Sequence, residues 1–320
     1  MKFIITTIVA LAFSTTVNAT TFGTTKGGAN YQTGIIVNKV LGAAGVKVIP
    51  VPHRSTQIYL ERVNMGQIDF GLSNPTTFSW AYKGIRTSKT PQKNIRFVAN
   101  LQELRLGIAV KHNSRFMKME HLKGAKTFSG FKGSPGFRYW FEAVLRNIDG
   151  NVSYADQVSV PTASVGAMIG KFAKGEGDVG LAILGAGFVK KWHVAHAPFG
   201  IRLLSINNGD LFKRAWGLPA GWDGYELVTV MPNTKMPEIK GPTNIIRFPY
   251  LVFAGKHVSN KDVGDFIKGI VAKQDDLRKS SGMFRNWDEK KMSGWGPTRS
   301  TFGVPMHEGA KLAYEELKLQ

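Results

Sequence analysis

The pattern that most constrains this chain is a strand-turn-helix module with a glycine-rich turn that occurs twice. In the first copy Thr21-Phe22-Gly23 ends a strand, Thr24 to Gly28 turns, and Asn30 to Leu41 follows as a helix with Ile35, Ile36, Val40 and Leu41 at helical spacing. A strand over Val46 to Val51, a helix over Thr56 to Met65 stopped by Gly66, and a strand over Ile68 to Leu72 continue it. The pattern restarts with strands at Leu104 to Val110 and Ala125 to Phe128. A turn over Gly130 to Gly136 then leads into a helix from Phe137 to Asn147, followed by a helix over Val165 to Lys174 and a strand over Val179 to Leu184. Alternating strands and helices build parallel sheets. The repetition therefore predicts two similar α/β lobes with a cleft between them, rather than one large sheet. Ile245 to Ala254 reads as a strand returning to the first lobe, and Asn260 to Lys273 and Glu308 to Leu319 as closing helices. The expected division is 20–110 with 246–320 for lobe 1 and 111–245 for lobe 2, with crossovers near 108–114 and 243–252.

Ahead of these modules stands a basic Lys2, an apolar run from Phe3 to Phe13 and the small-residue ending Val17-Asn18-Ala19. Eleven residues fall short of the roughly 20 needed to span a bilayer. Residues 1–19 are thus expected to be a cleaved secretory signal peptide, which places the mature chain in the periplasm. The chain has no cysteine, which excludes disulfides, thiolate nucleophiles and zinc-thiolate sites. Its 42 Lys and Arg against 22 Asp and Glu give a net charge of +20. The basic residues are scattered, without a run of five, so a solvated positive surface is favoured over nucleic-acid binding.

The turns carry the candidate site. In Gly27-Gly28-Ala29-Asn30-Tyr31-Gln32-Thr33-Gly34, glycines let the backbone approach a ligand, and the amides of a helix N-terminus suit an anion. Gly130-Phe131-Lys132-Gly133-Ser134-Pro135-Gly136 is its counterpart in the second module. In His53-Arg54-Ser55-Thr56, capping by Ser55 or Thr56 is the simplest role. Arg54 beside two hydroxyls also makes a good carboxylate site, because its planar fork binds both oxygens. Arg138 reads equally as a cleft residue or a solvated surface arginine. The ligand-binding candidates are Asn30, Tyr31, Arg54, Ser55, Thr56, Asn74, Thr76, Gly133, Ser134 and Arg138, all at turns following strands, where open α/β sheets take ligands. Phe188 and Trp192 are candidates for an apolar wall or for core. No catalytic spacing and no metal-ligand spacing occurs among the seven histidines, so neither an enzyme, a cofactor nor a metal is expected.

Taken in order along the chain, these segments resemble the TAXI class of extracytoplasmic solute receptors, the substrate-binding subunits of TRAP transporters. Gly27 to Gly34 sits where that family has a Gly-Gly-x-Tyr-Tyr-x-x-Gly turn. Gly66-Gln67-Ile68-Asp69-Phe70 resembles its Gly-x-x-Asp-Phe strand entry, and Gly175-Glu176-Gly177-Asp178 repeats the theme. His121-Leu122-Lys123-Gly124-Ala125-Lys126 and Gly133-Ser134 resemble its Asp-Leu-Lys-Gly-Lys and Gly-Ser-Gly-Thr segments. Pro305-Met306-His307-Glu308-Gly309-Ala310, with Tyr314 and Glu315, resembles its terminal signature. The chain departs from the pattern at Asn30, at Ser55-Thr56-Gln57-Ile58-Tyr59 and at Pro135-Gly136. The resemblance implies a two-lobed, type II-like periplasmic binding fold, acting as a monomer that closes on a small organic anion and hands it to TRAP membrane permease subunits. Three rival readings share the same features: the receptor of an ABC importer for sulfonate- or phosphonate-like anions, a ligand sensor for a membrane kinase, and a secreted basic nucleic-acid-binding protein.

Overall fold

In the computed structural model the described residues are 19–132, 137–138, 141, 144–145, 157–206 and 224–320. The signal-peptide expectation for 1–19, apart from its last residue, lies outside them. So do Gly133, Ser134 and most of the helix expected over Phe137 to Asn147.

The first module is β1 (Thr20–Thr25), α1 (Gly28–Gly42), β2 (Val48–His53), α2 (Thr56–Asn64), β3 (Phe70–Ser73) and α3 (Pro75–Lys83). A long strand β4 (Ile95–Lys111) leads to the second module: β5 (Lys126–Gly130), β6 (Val158–Thr162), α4 (Val165–Ala173), β7 (Gly180–Ile183), α5 (Gly187–Ala195) and β8 (Ile201–Leu204). After β9 (Glu226–Val230), the second long strand β10 (Thr243–Gly255) returns to the first module, where α6 (Asn260–Ala272), α7 (Gln274–Ser280) and α8 (Glu308–Glu316) finish the chain.

The two modules repeat one topology. β1 pairs in parallel with β2 and with β3. β5 pairs in parallel with β6, and a parallel bridge from Thr127 to Val179 sets it beside the start of β7. Both Gly-x-x-Asp motifs do the same job in this repeat. Asp69, just before β3, accepts from the backbone N–H of Thr21 at 2.7 Å and from its hydroxyl at 2.8 Å. Asp178, just before β7, accepts from the backbone N–H of Lys126 at 2.8 Å. Each carboxylate ties down the first strand of its own module.

The expectation of two lobes rather than one large sheet is corrected in part: eight strands form one sheet that runs through both modules, and β5–β6 stands apart as a two-stranded sheet. The order β2-β1-β3-β10-β4-β7 is one hydrogen-bonded path, with β8 also on β4 and β9 also on β10. The reason is the length of β4 and β10, 17 and 13 residues. At about 3.3 Å per residue, β4 reaches roughly 55 Å, more than one small lobe can bury. The two strands run antiparallel to each other from Ile95/Gly255 to Leu106/Ile246 and carry the sheet from one module into the other.

Helix α6 shows how the chain end belongs to the first module. Val263, Phe266, Ile267 and Ile270 make its buried stripe, at the spacing an amphipathic helix needs. Phe266 stacks on Phe70 at 5.0 Å and on Phe22 at 6.1 Å between ring centres. Burying each such ring contributes about 1.5–3 kcal/mol. Gly34 lets α1 lie close on β1: a Cβ there would stand 2.3 Å from the Thr24 methyl. Among the described residues no helix is long and apolar enough to cross a membrane.

Candidate functional site

A cavity of about 540 Å³ opens where the two modules meet. One wall is the start of α1 with the turn before it, from Thr25 to Asn30, joined by Arg54, Thr56 and Gln57 at the start of α2 and by Asn74 at the start of α3. The facing wall is the start of α4, Ser164 to Ala167, with Ile169, Phe137 and Phe188. The floor comes from the long strands and β7: Leu104, Leu106, Leu181, Ile183, Phe248 and Tyr250.

The α1 wall is held by one side chain. Asn30 Oδ1 accepts from the Thr25 N–H at 2.7 Å, and Asn30 Nδ2 donates to the hydroxyls of Tyr59 at 2.8 Å and Tyr250 at 2.5 Å. The Tyr59 hydroxyl in turn donates to the Leu72 carbonyl. This network joins α1, α2, β3 and β10 beneath the cleft. Burial pushes the pKa of both phenols up, so they stay neutral and keep their protons for these bonds.

Both walls end in helix starts with the same construction. Ser55 caps α2 by accepting from the Ile58 N–H at 3.4 Å, and Ser164 caps α4 by accepting from the Ala167 N–H at 3.2 Å. Neither helix, nor α1, has an acidic residue in its first turn. The first amides of a helix lack internal partners and carry partial positive charge. Lys26 and Arg54 add full charges, and no acidic side chain lines the cavity among the described residues. Arg54 follows His53, whose pKa is lowered by burial and by nearby Arg62; its Nδ1 bonds the Val51 carbonyl at 2.8 Å. Among the described lining residues the Gln57 amide is the unmet polar group: both Nε2 and Oε1 are buried without a hydrogen-bond partner.

The sequence candidates divide accordingly. Asn30, Arg54, Thr56 and Asn74 come together on the cavity wall. The polar atoms of Asn30 are occupied internally, and Asn74 Oδ1 caps α3 by accepting from the Thr77 N–H at 2.8 Å. Ser55 is buried as a cap and is not on the wall. Tyr31 is 37% exposed, because one further step along α1 rotates its side chain away from the cavity. Thr76 is turned to the other side of α3, where its hydroxyl donates to Tyr225 Oη at 3.0 Å. Arg138 is exposed and off the wall, while its neighbour Phe137 lines it. Gly133 and Ser134 lie outside the described residues. Phe188 is on the wall, whereas Trp192 is core, its indole N–H donating to the Ile169 carbonyl at 2.8 Å. Lys26, Gln57 and the Ser164 to Ala167 turn were not among the candidates. The last of these was available to the sequence, because it occupies the same place after β6 that Ser55 to Ile58 occupies after β2.

Two modules around a cleft, with the sheet passing between them on two long strands, define the two-lobed fold of periplasmic solute-binding proteins. The match of residues 24–317 to the family model shows that the chain belongs to the NMT1-like family. Among solved structures it is similar to one described as a periplasmic transporter (TM-score 0.57, 10% identity, 94% of this chain and 93% of that one). It is also similar to MatC from Rhodopseudomonas palustris with bound malate (TM-score 0.55, 13% identity, 94% and 96%). At these identities the likeness is one of fold. No curated protein sequence matches the chain.

Proposed function

We propose that this chain is a periplasmic solute receptor that captures a small carboxylate-type organic anion and delivers it to TRAP membrane permease subunits. The observation that carries the anion is the composition of the cleft. The starts of α1, α2 and α4, with Lys26 and Arg54, converge on it, and no acid opposes them among the described lining residues. The floor of leucine, isoleucine and phenylalanine side chains argues for an apolar body behind the charged group, and the unpartnered Gln57 amide for a further polar atom beside it. In this reading the lobes are 20–110 with 246–320, and 111–245, and they close as a monomer by bending β4 and β10. The order of motifs from Gly27 to Glu315 supports the TRAP partner. Export by the segment 1–19 would put the receptor in the periplasm.

A thermal-shift screen of aliphatic and aromatic carboxylates on protein starting at Thr20 tests the ligand class, with matching sulfonates in parallel. A ligand at 100 times its Kd adds about 2.7 kcal/mol of stability. Sulfonates binding while carboxylates do not would replace the carboxylate assignment. Uptake by the receptor with a TRAP permease in proteoliposomes, driven by an ion gradient without ATP, tests the partner. A requirement for ATP hydrolysis would assign the receptor to an ABC importer instead.

A further inference from the structure

A second cavity, of about 310 Å³, lies on the opposite face of the long strands from the cleft. Alternation along the strands sets this up: Leu104, Leu106 and Phe248 face the cleft, while Glu103, Arg105 and Arg247 face away from it. The other walls are β9 and the segment from Met283 to Lys291.

Three features make this a built site. Arg105 and Arg247 stand directly opposite each other in the β4–β10 pairing, and like charges so placed repel. Arg247 is neutralised by ion pairs to Glu226 and, at 3.6 Å, to Glu103, whose other oxygen takes Lys291 at 3.0 Å. Arg105 makes no such pair with any described residue, although it is half-buried. Burial lowers its pKa, and the nearby Arg285 and Arg247 add to that against Glu103. The same wall holds two deeply buried polar side chains with an unused atom: Asn100, 4% exposed, has a free acceptor in Oδ1, and Trp287, 7% exposed, has a free donor in Nε1.

We infer that this cavity is a second ligand site for a small carboxylate that also carries a hydrogen-bond donor, of the hydroxy-acid or amino-acid class. The carboxylate would lie on the Arg105 fork, which offers the paired donors that a carboxylate accepts. A hydroxyl or ammonium group would supply what Asn100 Oδ1 lacks, and a carboxylate or hydroxyl oxygen what Trp287 Nε1 lacks. The acids that line the cavity, Glu103 and Asp288, disfavour a plain dianion and suit a molecule with a single carboxylate. The site does not depend on what the cleft binds.

The indole N–H of Trp287 gives a direct readout. In 15N-tryptophan-labelled protein its resonance, assigned with Trp287→Phe, is followed during titration with L-lactate, L-serine and propionate, the last being a carboxylate without the donor. The resonance is expected to shift saturably with L-lactate or L-serine, in wild type and equally in the cleft variant Arg54→Ala. Propionate is expected to bind about fivefold more weakly, and Arg105→Gln to weaken binding by about tenfold or more. Arg105→Lys, which keeps the charge without the fork, falls between. Removing one of two opposed arginines should leave the thermal midpoint of Arg105→Gln equal to or above that of wild type. The inference is overturned by the absence of a saturable Trp287 shift up to about 50 mM of both donors, by an unchanged shift in Arg105→Gln, or by a midpoint lowered in both Arg105 variants, which would make the residue structural.

Discussion

Gly27 and Gly166 face each other across the mouth of the cleft: a Cβ placed on Gly27 would stand 3.9 Å from the Cα of Gly166, ordinary van der Waals contact. Beside them Gly28, in the left-handed region at φ +76°, lies against Val165. The starts of α1 and α4 therefore stand one methyl group apart, with room for a Cβ but not for a long side chain. Gly166→Ala has room and should keep ligand affinity within about twofold. Gly166→Leu would wedge the helix starts apart and should weaken affinity by about tenfold or more, while a leucine in α4 costs the helix nothing. Calorimetric titration with the ligand found by screening, beside small-angle scattering of both variants, checks this. Unchanged affinity in Gly166→Leu would mean that ligand binding does not need this close approach.

Arg54 and Arg138 now separate. With Arg54 on the cavity wall and Arg138 exposed and off it, only the first is in place to meet a ligand. A charge-assisted bond contributes about 1.5–3 kcal/mol, so Arg54→Ala is expected to weaken anion binding by about ten- to a hundredfold and Arg54→Lys by less. Arg138→Ala is expected to leave it within about twofold. Titration of the three variants decides, and the reverse order would move the anion site to the other lobe.

Much of the fold was legible because hydrophobic period and glycine stops are local. The helices at Gly28–Gly42, Thr56–Asn64, Val165–Ala173 and Asn260–Ala272 fall within a few residues of their expected ranges. Helix α3 was not assigned, because Pro75-Thr76-Thr77 disguises a start that Asn74 caps and Pro75 opens. The continuity of the sheet was not legible either. It depends on the pairing of Ile95–Leu106 with Ile246–Gly255, far apart in the chain, and no local pattern records a partner. At the site, sequence placed residues at the right turns but could not give their rotation. Tyr31 and Thr76 sit one or two positions from wall residues and point elsewhere. Gln57, one step beyond the named Thr56, carries the unmet amide.

The two strand-entry aspartates give a prediction about stability alone. Asp69 accepts two hydrogen bonds from Thr21 and pairs with His257 at 3.3 Å. Asp178 accepts one from Lys126 in a more exposed setting. Asp69→Ala should destabilise the fold by about 1–3 kcal/mol and Asp178→Ala by about 0.5–1.5 kcal/mol. Neither lines the cleft, so ligand affinity measured well below the melting temperature should stay the same. Urea unfolding and titration of both variants test this, and a loss of affinity without a loss of stability would contradict the structural role.

The last prediction concerns acid. His307, 4% exposed, caps α8 by accepting at Nδ1 from the Gly309 N–H at 3.1 Å, so that nitrogen must be unprotonated. Its pKa is lowered chiefly by burial, with Arg96 adding to the effect against a bond to the Val258 carbonyl. His53, His112 and His196 are shifted in the same direction, each chiefly by burial. A histidine whose folded pKa lies below its unfolded value, about 6.5, binds protons more readily once the chain unfolds. Its neutral form therefore supports the fold fully above about pH 6.5, and that support is lost as pH falls through the unfolded value toward the folded one. The urea midpoint should hold steady from about pH 8 to 7 and fall between about pH 6.5 and 5. His307→Asn retains a capping acceptor that does not titrate, so its midpoint should start lower, from lost packing, but decline less steeply over the same interval. Equal slopes for wild type and His307→Asn would remove His307 from the acid response and leave it to the other three histidines.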